Sequence, residues 1–383
     1  MERLRKADAD LDLDQDRVMQ WIFEVQMLER KNKAMNLFIA ELAERMHKAD
    51  IYAILVKGQG IAQYYERPLW RSYGDVDLFL SDDDYEKAKR LLVPLAVKVE
   101  PEGAYNKHLG IVVPDSLREQ TTTGGVKTWV VELHGCLYSG LSSKIDRELD
   151  DVYRDSFERG RVRSWMNGNV QVPLLSPEND AFYVFTHILQ HFYKGGIGLR
   201  QICDWCRLLF CYRGKLDLQV LGSRIKRAGL MSEWRAFGAF AVEYLGMEAA
   251  AVPFLGGNVD VDLDLDVNEN ENLNLDVDIN ENDNENENDN LNLDVDLDVG
   301  GEISAGLKRK AGRIKDFVMM SGNFGQNRDM GYYKKYPYVI RKCMSLSQRV
   351  GDLVRHSRIF PMDSLRFFPK MMFNGVRSAM RGE

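Results

Sequence analysis

The sequence predicts an α+β fold, a mixed core with helical segments before and after it. Three observations carry that expectation. Between residues 49 and 165, strand-like apolar runs alternate with helix-like stretches and short polar turns. Ahead of this region, residues 16–48 repeat apolar side chains at helical spacing. Behind it, residues 176–250 and 302–383 do the same. At 383 residues the chain is expected to hold two or three domains. They read as an N-terminal helical segment (1–48), a mixed core (49–165), a helical domain (174–257), an acidic insert (258–300) and a basic helical continuation (301–383).

The first helix rests on Val18, Trp21, Ile22, Val25 and Leu28, then Met35, Phe38, Ile39, Leu42 and Met46, with Asp14 or Asp16 as its cap. Next come strand candidates at 51–56, 75–80, 108–113 and 127–134. Ser81-Asp82-Asp83-Asp84 reads as a helix start before Tyr85 to Leu92. Residues 115–126, polar with two glycines, read as a hairpin loop. Ser176-Pro177-Glu178 opens the helical half, with proline at the first helical position. Residues 179–193 are apolar on most faces, Gly195 to Gly198 interrupt, and helices resume over 199–212 and 218–246.

Residues 258–300 repeat Asp, Asn or Glu with Val, Leu, Ile or Asn and hold no aromatic residue, so they read as a disordered insert. An ordered β tongue and weak cation binding are the alternatives. With no glycine between Gly257 and Gly300, the segment matches neither an EF-hand loop nor a glycine-rich nonapeptide repeat. It also distorts the overall charge of -7. Outside it, 51 basic residues face 42 acidic ones, a net of +9, and residues 301–383 alone carry +11. That balance suits a polyanionic partner, or merely a solvated surface.

No stretch approaches the ~18–20 apolar residues that span a bilayer, and the first sixteen residues lack the apolar stretch of a signal peptide. Cys136, Cys203, Cys206, Cys211 and Cys343 are an odd, sparse set that fits a reducing cytoplasm. Cys203-Asp204-Trp205-Cys206 lies inside a helical pattern without a second pair, and so reads as structural. The aromatic and Met stripe from Phe367 to Met380 reads as core packing ahead of membrane contact.

The chemistry concentrates in Ile51 to Leu80. An apolar strand ends in Lys57-Gly58-Gln59-Gly60, a turn of the kind that lets backbone amides approach phosphate. A second strand carries Asp75 and Asp77, two apart and therefore on one face. Two carboxylates held so close call for a cation. A carboxylate pair beside a phosphate cradle points to nucleotide chemistry; the bland alternative is a solubilised strand end. Glu132 and His134 likewise share a strand face, and Glu132 offers a third carboxylate for a two-metal site, or a partner for a structural arginine. His187 and His191 sit four apart on one helix face, the spacing of a metal pair, but no glutamate follows His187. They read as metal ligands or as hydrogen-bonding residues lining a cleft with Arg200.

Strand, glycine turn, helix, then a strand with Asp-x-Asp resembles the polymerase-beta-like nucleotidyltransferases. Val56-Lys57-Gly58, Tyr64-Tyr65, Pro68, Arg71, Gly74-Asp75-Val76-Asp77-Leu78 and Glu132-Leu133-His134 resemble in particular the uncharacterised bacterial nucleotidyltransferases grouped as family 5. His187, His191, Arg200, Asp204 and Gly322-Asn323-Phe324-Gly325 continue the likeness over most of the chain outside 258–300. The resemblance implies a polymerase-beta-like core and Mg²⁺, or Mn²⁺, held by Asp75, Asp77 and Glu132. It implies Lys57, Gly58 and Arg71 contacting or shaping the triphosphate site. The superfamily's usual Gly-Ser is here Gly58-Gln59-Gly60, so Gln59 or backbone amides would replace the serine. The expected reaction moves a nucleoside monophosphate from an NTP to the hydroxyl of an acceptor, whether small molecule, protein or RNA. The alternatives are a binding module on the same fold and a toxin-like enzyme acting on transfer RNA.

Overall fold

Alternation along the strands decides what each face of the sheet carries. The structure, a computed structural model, describes residues 15–72, 74–102, 107–115, 128–194, 196–256, 303–321, 336, 340 and 351–381. The acidic insert, most of the 115–126 loop, the Gly322–Gly325 landmark and Cys343 fall outside those residues. Strands β1 (Ala53–Val56), β2 (Val76–Leu80), β3 (Lys98–Val99), β4 (His108–Pro114), β5 (Thr128–His134), β6 (Val162–Asn167) and β7 (Val170–Leu175) form one sheet. Its order is β3-β4-β5-β2-β1-β7-β6. β1 pairs parallel with β7 and β2 parallel with β5, while the other neighbours are antiparallel. The protein is thus a mixed α/β chain with helical regions at both ends of a central mixed sheet.

Leu55, Val76, Leu78, Leu80, Ile111, Val131 and Leu133 face one side, as a period of two requires. There they bury against Met35, Phe38, Ile39, Leu42 and Met46 of α1 (Gln15–Lys48). Tyr85, Ala88 and Leu92 of α3 (Asp82–Leu92) close the same layer. Ser81 caps α3 by accepting from the Asp84 amide at 3.3 Å. Ile54, Val56 and Phe79 face the opposite side and join the second core. That core is built by α4 (Ser143–Phe157), α5 (Pro177–Lys194), α6 (Leu199–Cys211), α7 (Leu218–Ala228), α8 (Met231–Leu245), α9 (Ala305–Ser321) and α10 (Pro361–Arg381). Phe185 lies at its centre, 5.2 Å from the Trp205 ring and 4.8 Å from Trp234. Phe367 of the C-terminal stripe is fully buried and meets Tyr193 edge-on, whereas Phe373 is exposed.

The four expected strands are present within a residue or two. The sheet, however, runs on to Leu175, past residue 165 where the sequence reading ended the core. β7 holds a proline, Pro173, opposite Ser164 of β6, although proline is depleted from strand interiors. Among the described residues the four cysteines are free, and no helix is long and apolar enough to cross a membrane.

A short helix α2 (Gly58–Ala62) follows β1 at once. The turn into it is tight: Lys57 has φ 57° and Gly58 φ 43°. For a lysine that is a sparsely populated conformation costing about 1–3 kcal/mol, of a kind that clusters at functional sites. Gly60 does a different job. A Cβ on it would come within 2.8 Å of Leu174 Cδ2, so its lack of a side chain is what seats α2 against β7. Gly60→Val is expected to destabilise the fold by about 1–3 kcal/mol through overpacking, read as a lower urea midpoint.

Candidate active site

Strand register brings the carboxylates together. β2 and β5 run in parallel with Asp77 beside Glu132 and Phe79 beside His134. Asp77 shares its face with Phe79, so it points towards the layer of α5 while Val76 and Leu78 point away from it. Asp75 lies one step ahead of β2, exposed at the rim, whereas Asp77 is only 2% exposed. Ligand oxygens of Asp75, Asp77 and Glu132 all lie within 4.8 Å of one another.

A lysine and two histidines converge on them. Lys57 Nζ lies 2.9 Å from Asp77 Oδ1, and His134 Nε2 reaches the same oxygen at 2.9 Å. His134 Nε2 is also 3.5 Å from Glu132 Oε2, and His108 Nε2 is 3.2 Å from it. Burial alone would lower the Lys57 ammonium, but the charge of Asp77 beside it holds it above its usual range. Burial would raise Glu132, but hydrogen bonds from His108 and His134 and the charge of Lys57 hold it well below the usual carboxylate range. Asp75 goes the other way: partial burial of its carboxyl, then the charges of Asp77 and Glu132, push it up to about 6. Because the residue itself is exposed, the two neighbouring charges are the firmer cause.

These residues fit a hard divalent cation. Three carboxylates offer only oxygen donors, the preference of Mg²⁺. The raised Asp75 reports a like-charge repulsion that a cation would relieve. The Lys57 and His134 contacts to Asp77 both fall on Oδ1.

The carboxylates open onto a cleft of about 230 Å³ between the sheet and helices α5 and α6. Lys57, Gly58 and Arg71 line it on the sheet side, and His187, His191 and Arg200 on the helical side. A larger cavity of about 610 Å³ lies across the sheet against α1 and holds none of these side chains. Gln59 does not reach the cleft: it is 3% exposed, and its Nε2 donates to Asn32 Oδ1 at 2.9 Å. Its side chain is turned to α1 and away from the cleft. Gly60 is spent on Leu174, and His134 lines an adjoining cavity.

Arg71 shapes the cleft without presenting an unpaired charge to it. Its Nε donates to Asp204 Oδ1 and its Nη2 to Asp204 Oδ2, each at 2.8 Å, and Tyr65 Oη donates to the same carboxylate at 2.7 Å. This buried fork ties the segment before β2 to α6. Arg200 Nη1 contacts the Ser72 carbonyl at 3.4 Å, on the Asp75 side of the cleft.

His187 and His191 use their metal-pair spacing on each other, with Nε2 to Nε2 at 3.0 Å. Among the described residues they join no cluster of three ligands. Burial, then Lys57, pushes His187 well below 6.5 and His191 down to about 4. Between about pH 6.5 and about pH 4 the unfolded chain takes up protons that this pair refuses, so their contribution to stability is complete above that window and falls as pH drops through it. Urea midpoints measured across the window should therefore decline, and His191→Gln should flatten the decline.

Sequence reasoning missed His108. It opens β4 directly opposite His134 in the antiparallel register with β5. Nothing local marks it; only the pairing of the two strands does.

A family model described as an uncharacterised nucleotidyltransferase matches residues 1–246, a span that contains every cleft residue named above. Among solved structures, the chain resembles an antigenic nucleotidyltransferase-like protein from Paracoccidioides brasiliensis. The identity is 14% over 52% of this chain and 90% of that one, with a TM-score of 0.31, too low to bear on the site. No curated protein matches the chain.

Proposed function

The chain belongs to the uncharacterised nucleotidyltransferase family, and from that premise we propose that it transfers a nucleoside monophosphate from an NTP to an acceptor hydroxyl in a Mg²⁺- or Mn²⁺-dependent reaction. The acceptor hydroxyl gives up its proton to solvent, its oxygen forms a bond to the α-phosphorus, the bond between that phosphorus and the oxygen bridging to the β-phosphate breaks, and pyrophosphate leaves. One observation carries the reading: the oxygens of Asp75, Asp77 and Glu132 converge within 4.8 Å at the wall of a cleft. Bound divalent ions supply charge neutralisation and activation of the acceptor hydroxyl.

The chain's own groups divide the rest. Asp75, Asp77 and Glu132 hold the ions. Lys57 and Arg200 give the cleft positive charge towards the triphosphate. The tight turn at Gly58 brings backbone to the cleft wall without a side chain in the way. Arg71, fixed by Asp204, sets the shape of that wall. The acceptor enters between the sheet and α5 and α6, since ligand sites favour such junctions. A cytoplasmic location belongs to the same reading and rests on the sparse, odd cysteines.

Pyrophosphate release with Mg²⁺ and each of the four NTPs tests the proposal. Release above a metal-free control is expected; its absence with every NTP contradicts it. A non-catalytic nucleotide-binding module is the second reading, favoured by the Lys57 ammonium and the His134 ring sharing Asp77 Oδ1 and by the turned-away Gln59. Nucleotide binding without release would favour that module.

A further inference from the structure

We infer that His108, Glu132 and His134 form a separate site for a borderline divalent transition ion of the Zn²⁺ or Co²⁺ type. This goes beyond nucleotidyl transfer and stands without it.

Strand pairing builds the site. His108 of β4 is the register partner of His134 of β5, and Glu132 lies two residues before His134 on the same face. The register partner of Glu132 is Gly110, and the Glu100 carboxylate lies 2.9 Å from where a Cβ on that glycine would stand. One donor atom from each of the three residues lies within 4.8 Å of the others.

The separations suit a shared ion better than direct hydrogen bonds. Glu132 Oε2 is 3.2 Å from His108 Nε2 and 3.5 Å from His134 Nε2. Charge-assisted N–H···O bonds are usually about 2.7–2.9 Å. Two ligands each about 2.0–2.1 Å from a tetrahedral ion stand roughly 3.3–3.4 Å apart. Both observed separations exceed that length, and the pair brackets the tetrahedral value.

Donor chemistry separates this site from the carboxylate set. Two imidazoles and one carboxylate suit Zn²⁺, Co²⁺ or Fe²⁺, whereas Mg²⁺ keeps to oxygen and water. The site also has an open side, a cavity of about 180 Å³ bordered by Tyr138, Ser139 and Thr186, which leaves space for a water or ligand in the fourth position. On binding, the ion takes up the ring nitrogens that now face Glu132 and Asp77. Glu132 belongs to both sets, so the two sites adjoin.

Metal-stripped full-length protein titrated with Co²⁺ in excess Mg²⁺, without nucleotide, tests the assignment. One equivalent of Co²⁺ should bind with visible d–d absorption and be displaced by Zn²⁺. His108→Ala should weaken it at least ~100-fold, since loss of outer-shell partners alone costs about 10–100-fold. His108→Cys should keep the equivalent and add a thiolate-to-cobalt charge-transfer band, showing a folded variant whose residue 108 touches the ion. Asp75→Asn should retain the Co²⁺ equivalent. The assignment fails if the wild type binds no Co²⁺, if His108→Ala binds it as tightly as the wild type, or if His108→Cys shows no band. As no nucleotide is present, its failure is distinct from any failure of the transfer reading.

Discussion

Asp77→Asn is expected to lower pyrophosphate release by about 10³-fold or more, while leaving a folded protein. The size follows from what the residue does. Asp77 is the buried member of the carboxylate set and the point where Lys57 and His134 converge. Ions held there would supply several kcal/mol of charge stabilisation in the transition state, and each ~1.4 kcal/mol is a factor of ten in rate. Asparagine keeps the shape and can still accept from Lys57, so the loss should appear in the rate far more than in the thermal midpoint. Asp75, exposed at the rim, should show a smaller loss when changed to asparagine. Rates at saturating Mg²⁺ and NTP, measured beside thermal unfolding, check both.

Asp204→Ala is expected to destabilise the fold by about 3–5 kcal/mol, the cost of leaving a buried charge without its partner. Side-chain exposure is 6% for Arg71 and 8% for Asp204, and the two bonds of the fork are both 2.8 Å. Removing the carboxylate strands the guanidinium and leaves the Tyr65 hydroxyl without its acceptor. Arg71→Met combined with Asp204→Leu should recover most of that stability, because replacing both charges removes the desolvation cost as well. Urea denaturation of the two variants separates a stranded charge from simple loss of packing.

What sequence could reveal was what local pattern dictates. A period of two put Glu132 and His134 on one face of their strand, and β5 presents them so, beside Asp77 and Phe79 of β2, while Asp75 falls just ahead of that strand. Ser81 and Pro177 marked helix starts because caps act within one turn. What sequence could not reveal depends on register and distance along the chain. Reading 115–126 as a hairpin loop set β4 beside β5 but left their register open, so His108 went unseen opposite His134. Gln59 turns to Asn32, 27 residues back, and Arg71 pairs with Asp204, 133 residues on. Neither partner could be found from local pattern, because both are remote in the chain. The β6–β7 hairpin lies outside the four strand candidates read from the sequence.

The most direct test of the account offers NTPs radiolabelled at the α-phosphate to the protein with Mg²⁺ and a mixture of small metabolites, RNA and protein. The wild type should pass label to one acceptor class, and the Asp75→Ala, Asp77→Ala double variant should pass none. Label transfer that persists in the double variant, or that is absent with every NTP in the wild type, would contradict the assignment of these carboxylates to nucleotidyl transfer.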